Sequence, residues 1–466
     1  MKRIIIFAAL AAFALTSCQQ EITIEESKPE GLVFTATTEI PATKTALDAS
    51  LNVVWQAGDE ITVMGGSSIG TYTTTADGDT KATFTHHSGT EATTSPYKAW
   101  YPTTLYDNVT LVLPATQTYT AGNITGNPMY AESETANLSF KNICGIIKLN
   151  ISTTQTGKKV RKIVLSADQG MSGEISNVAT LGTDLTAAVS GTAGVTLDCG
   201  TEGVEIGSTA IPFYIAVPAK TYSNLKIMVI TADDEFQTRT AKSDIVVGRS
   251  SITDITLGFN NLSAISNLVH YWPFNGNTND AVTSGAINGT NTGATLTTDR
   301  FGNADSAYYF DGNDSIEVGQ AGSFESSDSF SFNVWINSTG GGNFIRTEGG
   351  GGSWGWFVRF VGEGKIQIWE GTYTSYTAET TESYNDGNWH MVTFVRDASN
   401  NIGRLYVDGE EKCHYDMPSG PQPLTSAYLD YLGSYGDGEF FSGKMDEVRL
   451  YNKALTAEEV AALYQY

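Results

Sequence analysis

The chain has 466 residues, with 27 Lys and Arg residues against 51 Asp and Glu residues, and a formal net charge of -24. This acidic balance argues against binding to nucleic acid or to an anionic membrane through charge, because both need a basic face. Only 17% of the residues are charged and 40% are hydrophobic, which excludes an acidic disordered chain. The length predicts about two to four domains, and the abundance of Gly, Thr, Ser and Asn indicates an all-β secreted or surface protein.

The N-terminus predicts export. A basic start, Met1-Lys2-Arg3, precedes an apolar run from Ile4 to Leu15 that is shorter than the ~20 residues of a membrane-spanning helix. We therefore expect a signal peptide over residues 1–17. Its end, Leu15-Thr16-Ser17-Cys18, resembles a bacterial lipobox, which implies a lipid on Cys18 and a tether over 18–30. The acidic residues that follow resemble the surface-export signal of Bacteroidetes lipoproteins, so the expected location is the outer membrane, at the cell surface or in a fimbrium.

Three further cysteines, Cys144, Cys199 and Cys413, are spread over the chain. Cys144 and Cys199 could form a disulfide in an oxidising compartment. The alternative, which we favour, is that each is a small buried hydrophobic residue. Their spacing does not resemble a zinc site.

Residues 31–257 consist of short alternating or apolar runs separated by Gly, Asp, Asn and Pro. This spacing predicts a β-sandwich rather than βαβ units. The run Ile143 to Ile151 is apolar enough for a central strand between two packed layers.

Four segments of this region resemble the fimbrillin family of Bacteroidales, in the expected order: TKTALDASLNVVWQAGDEITV from Thr43, LSFKNICGIIKLNI from Leu138, IPFYIAVPAKTYSNLKIMVITADD from Ile211 and VGRSSITDITL from Val247. The resemblance implies a two-part, transthyretin-like β-sandwich whose partners are other pilus subunits, joined by β-strand exchange. Lys44 is the candidate processing site, since cleavage there would release the strand near Leu32 to Thr37. The alternative is a solvated loop lysine, and the lack of Arg between Cys18 and Lys44 departs from the family pattern.

Residues 258–266 are predicted to be a polar linker, and residues 267–466 a second domain. Alternation predicts half-buried strands at Phe330, Phe332, Val334 and Ile336, and at Met391, Thr393 and Val395. Asp408-Gly409 predicts a hairpin turn. Thr456 and Glu459 predict a capping box that starts a short final helix.

This second domain resembles a LamG-like, concanavalin A-type jelly roll through segments such as RFGNADSAYYFDGNDSIEV, DGNWHMVTFVRD and FSGKMDEVRLYNKALTAEEVAALY. The resemblance implies two antiparallel sheets and, usually, binding rather than catalysis. It also implies a structural Ca²⁺ that ties the first loop to the last strand. Oxygen ligands suit Ca²⁺, and the candidates are Asn275, Asn277, Asp280 and Asp446, although Asn and Asp are also ordinary turn residues.

Catalytic motifs are not found. The paired carboxylates of retaining glycosidases lie about 5 Å apart, whereas Asp446 and Glu447 are adjacent and would point to opposite faces of a strand. We predict that the chain is not an enzyme and that His390 is a packing residue. Aromatic side chains that could stack on sugar rings are Trp354, Trp356, Trp369, Tyr373 and Tyr376; the alternative is that they are core residues.

The sequence thus favours a surface lipoprotein, a fimbrial accessory subunit or tip adhesin. Its LamG-like domain would bind a host or bacterial glycan or glycoprotein. The alternative is a glycan-capture lipoprotein that never joins a pilus.

Overall fold

The computed structural model describes residues 31–38, 54–103, 111–122, 124, 127–175, 194–348, 354–371, 375–418, 424, 427–433 and 439–466. The predicted signal peptide, Cys18, Lys44 and Tyr373 lie outside these residues. Apart from one short helix, the regular elements of the described residues are all β-strands, which confirms the all-β class. None of the described helices is long and apolar enough to cross a membrane.

The first compact unit, described over 31–38, 54–103 and 127–142, is a closed seven-stranded barrel. Its strands are β1 (Phe34–Thr38), β2 (Glu60–Gly65), β3 (Ser68–Thr73), β4 (Lys81–Gly89), β5 (Tyr97–Tyr101), β8 (Met129–Ser133) and β9 (Asn137–Asn142), with β6 (Leu111–Leu113) and β7 (Thr116–Thr118) belonging to the second unit. The barrel closes where β1 pairs antiparallel with β4 and parallel with β9. Alternate residues point inward, so Phe34, Tyr72 and Phe84 form its core.

The second unit begins with a β-sandwich, which we call the middle sandwich. Its strands are β6, β7, β10 (Cys144–Ser152), β11 (Lys158–Ser166), β12 (Gly173–Ile175), β13 (Val195–Asp198), β14 (Val204–Ile206), β15 (Ile211–Pro218), β16 (Thr221–Tyr222), β17 (Lys226–Thr231), β18 (Phe236–Thr240), β19 (Ile245–Val246) and β20 (Ile252–Gly258). A three-stranded sheet, β15-β10-β20, and a six-stranded sheet, β18-β17-β11-β13-β7 with β14 beside β11, enclose a core that includes Leu149, Ile163 and Phe213. The expected central strand is β10, in the middle of the smaller sheet.

The described residues of 31–257 therefore form two packing units, the barrel and the middle sandwich. The apolar run from Asn137 to Ile151 is divided after Asn142, with β9 in the barrel and β10 in the middle sandwich. Cys144, Cys199 and Cys413 are free thiols. Cys144 is buried, as the favoured alternative predicts, whereas Cys199 and Cys413 are only partly buried.

The predicted linker over 258–266 is bound to the middle sandwich rather than free. Phe259 and Leu262 are buried in its core. The side chain of Gln155 accepts from the Leu262 N–H at 2.8 Å and donates to the Leu262 carbonyl at 3.0 Å. Two apolar residues among polar neighbours suffice to anchor the predicted linker to this sandwich.

The LamG-like domain follows as two packed antiparallel sheets. Its strands are β21 (Leu268–Trp272), β22 (Thr290–Thr292), β23 (Thr295–Thr297), β24 (Ala307–Asp311), β25 (Ser315–Phe324), β26 (Phe330–Asn337), β27 (Asn343–Glu348), β28 (Trp354–Val361), β29 (Lys365–Gly371), β30 (Ser375–Glu379), β31 (Trp389–Asp397), β32 (Ile402–Val407), β33 (Glu410–Asp416), β34 (Ala427–Leu432) and β35 (Ser442–Tyr451). One sheet runs β23-β24-β35-β26-β31-β32-β33 with β21 beside β35, and the other runs β22-β25-β34-β27-β28-β29-β30.

The final helix, α1 (Ala457–Tyr464), begins at Thr456 with the predicted capping box. Val460 and Leu463 of α1 pack on the outer face of the larger sheet, against residues such as Trp335 and Met391. On its other side, Ala462 packs with Met228 and Ile230 of the middle sandwich. The helix therefore lies between two sheets, because each presents apolar side chains outward at this place.

Candidate functional site

Two aromatic rings stack against each other on the outer face of the seven-stranded sheet. Phe357 of β28 is paired in register with Trp369 of β29. Their ring centroids are 4.9 Å apart and the ring planes differ by 4°, so the rings are stacked. Both side chains are only partly buried. The pair thus presents an aromatic surface on a rigid strand pair.

Polar side chains border these rings. The Arg359 guanidinium lies 4.7 Å from the Phe357 ring centroid and donates to Gln367 Oε1 and to Glu439 Oε2, both at 3.1 Å. We name Phe357, Arg359, Gln367 and Trp369 the Trp369 platform. Its arrangement can stack a flat apolar group on the rings and hydrogen-bond to that group's edge.

A buried ion pair fixes the strand beneath the platform. Glu370 points to the core and accepts from Arg396 Nη2 at 2.9 Å and from the Tyr415 hydroxyl at 2.8 Å. The Glu370 and Arg396 side chains have 0% exposure. Burial and the neighbouring Glu370 carboxylate raise the pKa of Tyr415 well above its ordinary value, so the phenol keeps its proton and remains a donor. This network anchors β29 next to Trp369.

The structure separates the five predicted aromatic residues. Trp356 is fully buried and packs against Phe330 and Phe394, which corrects its prediction as a ligand-binding residue. Tyr376 turns toward the core, where its ring stacks on Tyr415 at 5.9 Å. Of Trp356, Tyr376 and Trp369, only Trp369 lies on the outer face. Tyr373 and the Trp354 side chain are outside the described residues.

Sequence reasoning missed Phe357, Arg359, Gln367 and Glu439. The signal for the first three was present. Phe357 and Arg359 alternate with the core residues of β28, and Gln367 alternates with Ile366 and Ile368 along β29. Strict alternation assigns the larger apolar set to the core and its neighbours to the outer face. Glu439 is distant in sequence, and no pattern in the chain pointed to it.

Asp280, a candidate calcium ligand of the first loop, already has a full set of hydrogen-bond partners. Asp280 Oδ1 accepts from the N–H groups of Tyr271 and Val282, and Oδ2 accepts from the Ile287 N–H and contacts His270 Nδ1 at 2.7 Å. Burial would raise the pKa of Asp280, but these hydrogen bonds outweigh it and lower the pKa. Since a carboxylate has about four acceptor positions, none is left for a metal.

The remaining members of the predicted set do not complete a calcium site either. Asn277 Oδ1 accepts from the Asn279 N–H at 2.9 Å, as in an ordinary Asx turn. Asp446 lies 3.3 Å from Arg300 Nη1, and burial together with the adjacent Glu447 raises the pKa of Asp446 to about 8. Within the described part of the chain, no three His, Cys, Asp or Glu side chains are grouped to hold a metal. The residues therefore do not fit Ca²⁺ as placed, and calcium binding stays a prediction.

His390 makes both packing and polar contacts. Its ring packs edge-to-face against Tyr384, with the ring centroids 5.1 Å apart. Its Nδ1 lies 2.8 Å from Asp408 Oδ2 and its Nε2 3.1 Å from Asp386 Oδ1. Asp408 occupies the predicted hairpin turn, with φ of 53°, and Gly409 follows at 83°. The histidine therefore ties that turn to the start of β31.

Comparison with known families decides the nature of this domain. Residues 310–461 match the family model of the concanavalin A-like lectin/glucanases superfamily. The C-terminal domain is LamG-like. The match does not extend to residues 31–257, whose resemblance to fimbrillins stays a prediction. No curated protein sequence matches the chain.

Several solved structures are similar to part of the chain. Domain 4 of AbnA, a GH43 extracellular arabinanase from Geobacillus stearothermophilus, in complex with arabinotriose, is 22% identical, with 43% of this chain and 98% of that one covered and a TM-score of 0.30. The binding domain of Paraclostridial Mosquitocidal Protein 1 is 14% identical over 42% of this chain and 52% of its own, with a TM-score of 0.32. The botulinum neurotoxin serotype G binding domain is 15% identical over 43% and 51%, with a TM-score of 0.34.

Proposed function

We propose that the chain is a non-catalytic glycan-binding protein whose LamG-like domain holds a saccharide on the Trp369 platform. The observation that carries this proposal is the stacked pair of partly exposed rings, Phe357 and Trp369, bordered by Arg359 and Gln367. The apolar C–H face of a sugar stacks on aromatic rings, and its hydroxyls take hydrogen bonds from polar side chains at the edge.

A glycan array probed with the full chain, followed by calorimetry with the best glycan, tests this proposal. Replacing Trp369 by Ala removes apolar contact worth roughly 2 kcal/mol, which corresponds to about a thirtyfold weaker Kd. Phe357→Ala should act in the same direction. Tyr309→Ala is the matched control, since Tyr309 is 41% exposed on the other sheet. Unchanged affinity in Trp369→Ala would contradict the proposal.

The non-catalytic part of the proposal rests on the catalytic motifs that the sequence lacks. Incubation of the chain with the retained glycan should release no reducing sugar. Release that persists in a highly purified sample would make the domain a hydrolase.

We further propose that the chain is an outer-membrane surface lipoprotein, lipidated at Cys18, and an accessory or tip adhesin of a pilus. The geometry of β1 supports strand exchange: β1 pairs with β4 and β9, and its Phe34 and Ala36 are buried, so its removal would open a groove with free backbone groups and apolar core. A glycan-capture lipoprotein outside a pilus is the second candidate.

The N-terminal residue of the mature surface protein separates these alternatives. Cys18 indicates an anchored, unprocessed lipoprotein, whereas Thr45 indicates cleavage after Lys44 and strand exchange. Immunogold labelling of pili provides the independent readout, and label confined to the cell surface supports the second candidate.

A further inference from the structure

A cleft lies within the second unit, between the middle sandwich and the LamG-like domain. Its volume is about 930 Å³, and both domains line it. Ligand pockets are typically about 300–1,000 Å³ in volume and occur preferentially at domain interfaces. The cleft is separate from the Trp369 platform, none of whose residues line it.

One wall is the outer face of the six-stranded sheet of the middle sandwich. Because Ile163 and Leu165 of β11 point to the core, Lys162 and Ser166 point outward. Neighbouring strands add Thr196, Lys226 and Thr238 to this wall. The wall therefore presents hydroxyl and ammonium groups, which hydrogen-bond to sugar hydroxyls and carboxylates.

Aromatic rings form the opposite wall. Phe301 is 66% exposed and Tyr464 is 36% exposed, and Trp389 is partly buried beside them. The Tyr464 ring is held by stacking on Trp335 at 5.5 Å. Rings that face a hydroxyl-bearing wall across a cleft provide the two kinds of contact that a saccharide needs.

Two polar atoms of the lining residues lack a partner. Within the described residues, neither Thr238 Oγ1 nor Trp335 Nε1 has a hydrogen-bond partner, although both atoms are buried. An unsatisfied buried polar group costs roughly 1–3 kcal/mol. Because protein atoms cover both groups, a ligand hydroxyl would satisfy them only once the side chain turns toward the cleft.

The charges of the cleft favour an acidic ligand. Three acidic side chains line the cleft as well. Asp408 lies 2.8 Å from His390 and Glu410 lies 2.8 Å from Lys412, which leaves Glu458 as the acidic side chain that opposes Lys162 and Lys226. Lys162 instead donates to the backbone carbonyl of Gln465. Burial and the nearby Arg161 and Arg300 lower the pKa of Lys162, a shift that a bound anion would oppose.

We propose that this cleft binds an acidic oligosaccharide, with a sugar carboxylate facing Lys162 and Lys226 and the sugar rings against Phe301, Trp389 and Tyr464. The site goes beyond the proposed function of the Trp369 platform and does not depend on it. A uronate and a sialate share the required chemistry.

Calorimetry with the full chain tests the cleft, using trigalacturonate, its neutral methyl ester and sialyllactose as probes. We expect binding of one acidic probe, no binding of the methyl ester, and about tenfold weaker Kd in Lys226→Glu, where attraction becomes repulsion. Lys242→Glu is the matched control, an exposed lysine of the same sandwich outside the cleft. Which acidic probe binds distinguishes uronates from sialates.

Two further variants separate the cleft from the platform and from folding effects. Trp389→Ala and Thr238→Val should weaken the acidic probe, and the second conserves side-chain volume. Trp369→Ala should leave this binding unchanged, so failure of the platform and failure of the cleft are distinguishable. The proposal is overturned if neither acidic probe binds, if Lys226→Glu binds as the wild type does, or if only peptides bind in a Trp389-dependent manner.

Discussion

The buried pair Glu370–Arg396 offers a quantitative test of the LamG-like core. Arg396 Nη2 donates to Glu370 Oε1 at 2.9 Å, and its Nη1 donates to the carbonyl groups of Ser326 and Asp328. With both side chains at 0% exposure, Glu370→Ala leaves a guanidinium charge in the core without its counter-ion. Breaking a buried pair in this way costs about 3–5 kcal/mol of unfolding free energy. For a domain of this size, that corresponds to roughly 6–20 °C in Tm.

The assay should report on this domain within the full chain, because a chain with several domains does not unfold as two states. Hydrogen exchange measured by mass spectrometry on peptides from β29 and β31 provides that local readout. Glu370→Leu combined with Arg396→Met removes both charges and should be less destabilised than either single variant. The exposed pair Lys412–Glu410 is the control, and Glu410→Gln should change stability by less than about 1 kcal/mol. If the exchange free energies of these peptides in Glu370→Ala lie within about 1 kcal/mol of the wild type, the pair does not stabilise the core as a desolvated ion pair.

Four other predictions follow from single contacts. Phe259→Ala should lower the free energy of unfolding of the middle sandwich by about 3–5 kcal/mol in urea, because the ring is fully buried. A negligible loss would indicate that the linker is not anchored by Phe259. Thr456→Ala should cost about 1 kcal/mol by loss of the α1 cap, seen as faster amide exchange in the helix, whereas an unchanged rate would contradict the capping role. Burial disfavours the charged form of His390, but the carboxylates of Asp408 and then Asp386 outweigh burial and raise the pKa of His390. The stability that protonated His390 contributes is therefore complete below the unfolded pKa and is lost as pH rises through the folded pKa. NMR titration should show a lower pKa of His390 in Asp408→Asn. Millimolar calcium should leave the Tm unchanged, since Asp280 is saturated by donors, and a rise in Tm would revive the calcium site.

Local patterns predicted local features well. The structure confirms the capping box at Thr456 and Glu459 and the turn at Asp408-Gly409. Each depends only on residues within four positions of one another in sequence. The Glu370–Arg396 pair was not predicted, since it joins β29 of one sheet to β31 of the other, and the packing of two sheets on each other is a tertiary property. The same holds for the anchoring of Leu262 by Gln155, which lies 107 positions away in sequence.

Alternation alone could not tell an open outer face from a covered one. Strands β26 and β31 were predicted to be half-buried, yet Asn333, Trp335 and Met391 are buried on the face away from the core. The cause is α1, whose Val460 and Leu463 cover that face. Burial on both faces is a tertiary property that the strand pattern does not contain.

The residue types at the outer positions do distinguish the two sheets. In β26 and β31 the outer positions include Trp335, Met391 and Val395, which need an apolar cover, and α1 supplies it. In β28 and β29 the outer positions alternate aromatic and polar residues, and Trp369 stays partly exposed. An aromatic ring among Arg and Gln on a strand therefore indicates an uncovered outer face, whereas a ring among Met and Val indicates a second core. Applied to this chain, that distinction selects Trp369 rather than Trp335 as the residue to mutate.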